Sequence, residues 1–224
     1  MRNKTLIEKI SEIVLKYKVT PIQFRYITKK VREVCKLQVP IISRRLPDFL
    51  NSAEIYQLLE VSQSNAFDNI LIEFMIFTGL RLSETRDLQI GNIDFNNNQL
   101  KVIEGKGGKD RHVPISNNLL SKLQLFLRGR KSGYVFCRSD EKKYTRRALI
   151  YRITKQIKKC NFTKKIHTHS LRHTFACLCL ARGMSLESIK LLLGHSNIKT
   201  TEIYGKLELG SIKEQFLRLM DRTG

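Results

Sequence analysis

The sequence predicts a mainly α domain with one small three-stranded antiparallel sheet, preceded by a short helical segment. Three observations predict it. Apolar residues recur at helical spacing through most of the chain. The pattern turns to strand character only across residues 92–114. Hydrophobic residues make up 42% of the 224, enough to build the core of one full domain.

Each element has its own signal. In residues 1–40, Leu6, Ile7, Ile10, Ile13, Val14 and Tyr17 mark one helix. Thr20-Pro21 supplies a cap and a proline at the first helical position of the next. Its stripe is Phe24, Ile27, Val31, Val34 and Cys35. Val39 to Pro47 reads as a linker, because Pro40 and Pro47 both disfavour helix before them. Asn51-Ser-Ala-Glu54 has the form of a capping box opening a helix through about Gln63. A strongly apolar helix, about Asp68 to Phe77, ends at Thr78-Gly79, and Ser83 is placed to cap a short helix after it. Ile93 and Phe95, Leu100 to Glu104, and Arg111 to Ile115 are the three strands. Asn96-Asn-Asn98 turns between the first two, and a glycine-rich hairpin around Lys106 joins the others. That hairpin lacks Walker spacing, so it does not predict a nucleotide-binding loop. Ser116 caps a helix through about Leu127. A basic helix, about Tyr144 to Lys159, carries Leu149, Ile153 and Ile157 as its buried stripe.

The charge narrows the partner. With 41 Lys and Arg against 20 Asp and Glu, the net charge is +21. So strong a field calls for a polyanion, either nucleic acid or an anionic membrane surface. No apolar run approaches span length and Met1 opens no signal-peptide pattern, so nucleic acid is favoured. Residues 138–165 are the most basic stretch, with acids only at Asp140 and Glu141. Arg138, Lys142, Lys143, Arg146, Arg147, Arg152 and Lys155 are the expected DNA contacts there. The basic segment 1–40 reads equally as a helical hairpin docked on the main domain or as a clamp on DNA. Five cysteines show no C-x-x-C pairing and no zinc spacing. Cys177 and Cys179 read as buried free thiols, which suits a reducing, cytoplasmic setting.

The chemistry concentrates near the C-terminus. His169 and Arg172 are three apart and share a helix face. The apolar run Phe175 to Ala181 anchors that helix, and Gly183 stops it. Ser185 caps the next helix, with Leu186, Ile189, Leu192 and Leu193 as its stripe, and Gly194 ends it at His195. Tyr204 follows. The set suits phosphoryl transfer to a tyrosine. Charge on the non-bridging oxygens calls for forked, permanent cations, which means arginine. A tyrosine hydroxyl needs a base, which histidine can be.

In order, the motifs are Gly-Leu-Arg81-x-Ser-Glu, Gly-Lys106-Gly-x-Lys, His169-x-Leu-Arg172-His-Thr, Leu-Gly-His195-Ser and Tyr204. Together they resemble the catalytic domain of tyrosine recombinases, which include phage integrases and Xer-type resolvases. The resemblance runs from about Ser43 to Lys206. It implies the DNA breaking-rejoining catalytic-domain fold over residues 43–224, with a C-terminal tail helix at 211–221, and no metal or nucleotide cofactor. It also implies that residues 1–40 are an abbreviated core-binding region. Tyr204 would be the nucleophile, and Arg81 and Arg172 would grip the phosphate, with His195 adding a hydrogen bond. Lys106 would protonate the departing 5′ oxygen, and His169 would accept or relay the tyrosine proton. The implied partners are double-stranded DNA, three further copies of the chain in a synaptic tetramer, and an accessory DNA-bending protein. The free chain would be a monomer or weak dimer.

Two other classes use similar parts. A type IB topoisomerase relaxes supercoils without exchanging strands, and a DNA-binding regulator of this fold does no chemistry. Should Tyr204 not be the nucleophile, Tyr151 is the next tyrosine to test.

Overall fold

The computed structural model describes residues 2–37, 48–103 and 110–194. The chain divides into two compact units, Met1–Arg44 and Arg45–Gly224. The linker expected over Val39 to Pro47 lies outside the described residues, as do Lys106, His195, Tyr204 and the tail helix.

The first unit holds α1 (Arg2–Lys16) and α2 (Pro21–Val34). Thr20 caps α2 as expected, and a full capping box forms. The Thr20 hydroxyl accepts from the Gln23 amide at 3.3 Å, and the Gln23 side chain accepts from the Thr20 amide at 2.9 Å. The apolar stripes are present but open. Leu6, Ile7, Ile27 and Val31 are all exposed, and α2 has no buried residue.

The second unit is organised on a central helix. α3 (Ser52–Ser62) and α4 (Ala66–Thr78) come first. The Asn51 side chain accepts from the Glu54 amide at 2.9 Å, and Glu54 accepts in return from the Asn51 amide at 2.7 Å. Helix α4 packs against α3 and against three later helices, α6 (Asn117–Leu127), α7 (Arg146–Lys159) and α8 (Thr168–Ala181). Ile70, Leu71, Ile72, Phe74, Met75 and Ile76 are all buried, so the helix is covered on every side. Each such side chain contributes about 1.5–3 kcal/mol of burial. Buried polar groups on α4 have partners: Asp68 meets Arg152 and Gln156, and Glu73 takes Lys122 at 2.6 Å.

Between α4 and α6 lie α5 (Leu82–Asp87) and strands β1 (Ile93–Asp94), β2 (Gln99–Val102) and β3 (Arg111–Pro114). The sheet is antiparallel in the order β1-β2-β3, as the sequence predicts. Leu100 pairs with Val113, and both are buried. Asp94 closes the asparagine turn by accepting from the amides of Asn96 and Asn97, each at 3.0 Å. A short helix, α9 (Leu186–Leu193), is the last element among the described residues. Phe175, Ala176 and Leu180 of α8 pack with Ile189 and Leu193 in a core of their own.

Two expectations are corrected. Ser83 does not cap α5, which begins at Leu82. Glu84 does that work by accepting from the Arg81 amide at 2.7 Å. Cys177 and Cys179 are half-buried, because they lie on the margin of the α8–α9 core. Burial still pushes the Cys177 thiol up to about 12. Among the described residues, no helix is long and apolar enough to cross a membrane.

Candidate active site

The site begins where α4 ends. Gly79 takes a left-handed turn, with φ of 65°, that a side chain could not share. A Cβ there would sit 2.5 Å from Phe175 Cδ1 and 2.9 Å from Leu193 Cδ2. This close approach of α4 to α8 and α9 sends the chain out through Leu80 to Arg81.

Arg81 and Arg172, distant in sequence, converge on Glu84. Arg81 Nη1 donates to Glu84 at 2.6 Å, and Arg172 Nη1 lies 3.8 Å from the same carboxylate. Arg172 reaches inward from α8 and also donates to the Gly79 carbonyl at 2.7 Å and to the Leu193 carbonyl. Arg81 donates to the Gly194 carbonyl at 2.9 Å. The two differ in access: the Arg81 side chain is 33% exposed and that of Arg172 only 6%.

A third arginine joins them. Arg111 grips both oxygens of Glu84, at 3.0 and 2.8 Å, and donates through Nε to the Leu192 carbonyl at 2.7 Å. Burial alone would raise the Glu84 pKa. The hydrogen bonds and charge of Arg111, with those of Arg81, outweigh it and hold the carboxyl below its usual range. Glu84 is therefore an anion at neutral pH.

His169 lies on the first turn of α8 with an exposed edge. Partial burial first, then repulsion from His167, Arg172, Arg146 and Arg81, holds its pKa below the usual imidazole range. It is neutral at pH 7, able to accept a proton. His167, unassigned from sequence, caps α8 through Nδ1 to the Ser170 amide at 3.3 Å. His173, one turn below His169, is held down to about 4 by burial, then by repulsion from His169, His167 and Arg172.

The structure thus brings together Arg81, His169 and Arg172. Lys106, His195 and Tyr204 lie outside the described residues. Sequence reasoning gives Arg111 only a place on a strand, and Glu84 only a place in the Arg81 motif. A signal was there for Arg111. It shares a strand face with Val113, which is buried, and a charge on that face needs a partner.

The basic residues divide. Arg146, Arg147 and Lys155 are exposed on α7. Arg138 and Lys142 are exposed beside Asp140, at 3.3 and 3.9 Å, in pairs that water screens. Lys143 lies 3.0 Å from Asp87 at the end of α5. Arg152 departs from expectation. Its guanidinium donates to Asp68 at 2.6 Å and to Asn65 at 3.0 Å, and stacks 4.6 Å over Phe67. It borders the buried stripe of α7, so the fold takes it as the counter-ion of a buried acid.

Comparison with known proteins agrees with this geometry. The chain is 37% identical over 188 residues to the tyrosine recombinase XerA of Pyrococcus furiosus, a match covering 81% of this chain and 65% of that one. It is 37% identical over 166 residues to a tyrosine recombinase of Pseudothermotoga lettingae, covering 74% and 58%. The matches thus span about three-fifths of those relatives' lengths. The crystal structure of a XerA recombinase superposes with a TM-score of 0.68 at 26% identity, covering 96% of this chain and 82% of that one. That of XerH bound to its difH substrate gives 0.62 at 26%, covering 74% and 52%. The family model described as the phage integrase family matches residues 48–209. On these matches the chain belongs to the phage integrase family.

Proposed function

We propose that this chain is a site-specific DNA recombinase that cuts and rejoins strands through a 3′-phosphotyrosyl intermediate. The observation that carries the reading is the convergence of Arg81 and Arg172 beside a neutral His169. Two guanidinium groups on a shared anion are pre-oriented donors, and the partly open Arg81 offers the face a phosphate can reach.

The step follows from the family's motifs. The Tyr204 hydroxyl oxygen attacks phosphorus while its proton passes to His169. The bond from phosphorus to the 5′ oxygen breaks, and Lys106 protonates that oxygen. Arg81, Arg172 and His195 stabilise the charge on the non-bridging oxygens. A 5′ hydroxyl from a second strand then reverses the sequence. The phosphodiester energy is kept in the phosphotyrosine, so the step consumes no ATP. By the same resemblance, four copies would synapse two duplexes, with an accessory DNA-bending protein, wherever the cell keeps its DNA. The exposed residues Arg138, Lys142, Lys143, Arg146, Arg147 and Lys155 would carry the duplex.

The test is a suicide substrate nicked beside the cleavage point. The native chain should yield a covalent protein–DNA adduct, and Tyr204→Phe should bind without forming it. Supercoil relaxation with no recombinant product would favour the topoisomerase class. No adduct from the native chain would sink the enzyme reading.

A further inference from the structure

Three successive carbonyls at the end of α9 each accept from a different arginine. Leu192 takes Arg111, Leu193 takes Arg172, and Gly194 takes Arg81. These arginines come from β3, from α8 and from the turn after α4. Glu84 ties them together from the other side. Two of the three have family roles in gripping phosphate. Arg111 has none in the motif set, yet its guanidinium takes both Glu84 oxygens.

Its place in the chain matters. Arg111 opens β3, paired in register with Val102 of β2. The connection that carries Lys106 therefore re-enters the sheet at Arg111. One planar fork fixes the foot of that connection, the carboxylate that orients Arg81, and the end of the helix leading to His195. A lysine could supply the charge. It could not reach both Glu84 oxygens and the Leu192 carbonyl in one plane.

We propose that Arg111 is a positioning residue for strand cleavage, acting through Glu84 to hold Arg81 and the end of α9 in register with the β2–β3 connection. This rests on the recombinase reading above. Arg111 touches no reacting atom. Its contribution is the geometry of the groups that do.

The experiment compares the native chain, Arg111→Lys and Glu84→Gln on the nicked suicide substrate. Adduct rate at saturating DNA, DNA affinity and thermal unfolding are measured from pH 5 to 9. Arg111→Lys should bind DNA within about threefold of the native chain. It should form adduct about 10–100-fold more slowly, less than loss of a direct donor costs. The acid side of its rate profile should move to higher pH, since Glu84 loses the forked hydrogen bonds that most keep it ionised. Glu84→Gln should be slow as well but show no such acid limb, and adding Arg111→Lys to it should cost little more.

A native rate and an unmoved profile in folded Arg111→Lys would overturn the proposal alone. So would a rate loss matched by weaker DNA binding or lower stability with no change in the profile. Should Arg111→Lys not fold, a native rate in Glu84→Gln overturns it. Absence of adduct from the native chain removes the recombinase reading, and this proposal with it.

Discussion

The Arg152 guanidinium meets the Asp68 carboxylate at 2.6 Å, joining the middle of α7 to the first turn of α4. Asp68 is buried, so the pair is part of the core's polar framework. Arg152→Met should leave Asp68 with Gln156 alone and destabilise the chain by about 3 kcal/mol, read by chemical denaturation. It should not change the salt dependence of DNA binding. Arg146→Ala should do the reverse, leaving stability nearly intact while reducing the slope of log affinity against log salt by about 1. Equal slopes for both variants would put Arg146 off the DNA.

The two arginines proposed to grip phosphate should separate in the same way. Arg172→Ala leaves the carbonyls of Gly79 and Leu193 without this donor, at about 1–3 kcal/mol for each buried group. It should lose stability and cleavage together. Arg81→Ala should lose on the order of 10²–10³ in adduct rate with a smaller stability change. Denaturation midpoints beside adduct time courses check both.

Gly79→Ala should be among the most damaging single changes in the described residues. The left-handed backbone costs about 1–2 kcal/mol for a residue with a Cβ. Pressing that Cβ into the Phe175 ring, at 2.5 Å, adds about 1–3 kcal/mol of overpacking. A thermal midpoint within a degree or two of the native chain would refute this.

His173 gives a pH signature. Burial holds its folded pKa at about 4, below the ordinary imidazole value of 6.5. Between those values the unfolded chain binds the proton and the folded chain does not, so stability is whole above pH 6.5 and declines as pH falls toward 4. Thermal midpoints across that window should fall, and His173→Gln should flatten the fall.

The helices, caps and sheet were legible because each is a local matter. Asn51 and Glu54 lie three residues apart, and Gly79 and Gly194 end helices by their own backbone freedom. The meeting of Arg81, His169 and Arg172 was legible only through the family's motif order. What stayed hidden depends on contacts across the fold. Arg152 and Asp68 are 84 residues apart, and Arg111 and Glu84 are 27 apart. A basic helix gives no sign of which arginine an acid elsewhere will claim.

Helix α2 has fourteen residues and no buried one. Helices of that length are marginal in water without tertiary packing. Its capping box and an exposed Lys30–Glu33 pair at 2.8 Å are worth little beside a buried face. Backbone amides of α2 should therefore trade hydrogen for deuterium through local fraying, while those of α4 wait for global opening. A slowing confined to α2 on adding duplex DNA or raising the protein concentration would reveal which of the two covers its apolar stripe.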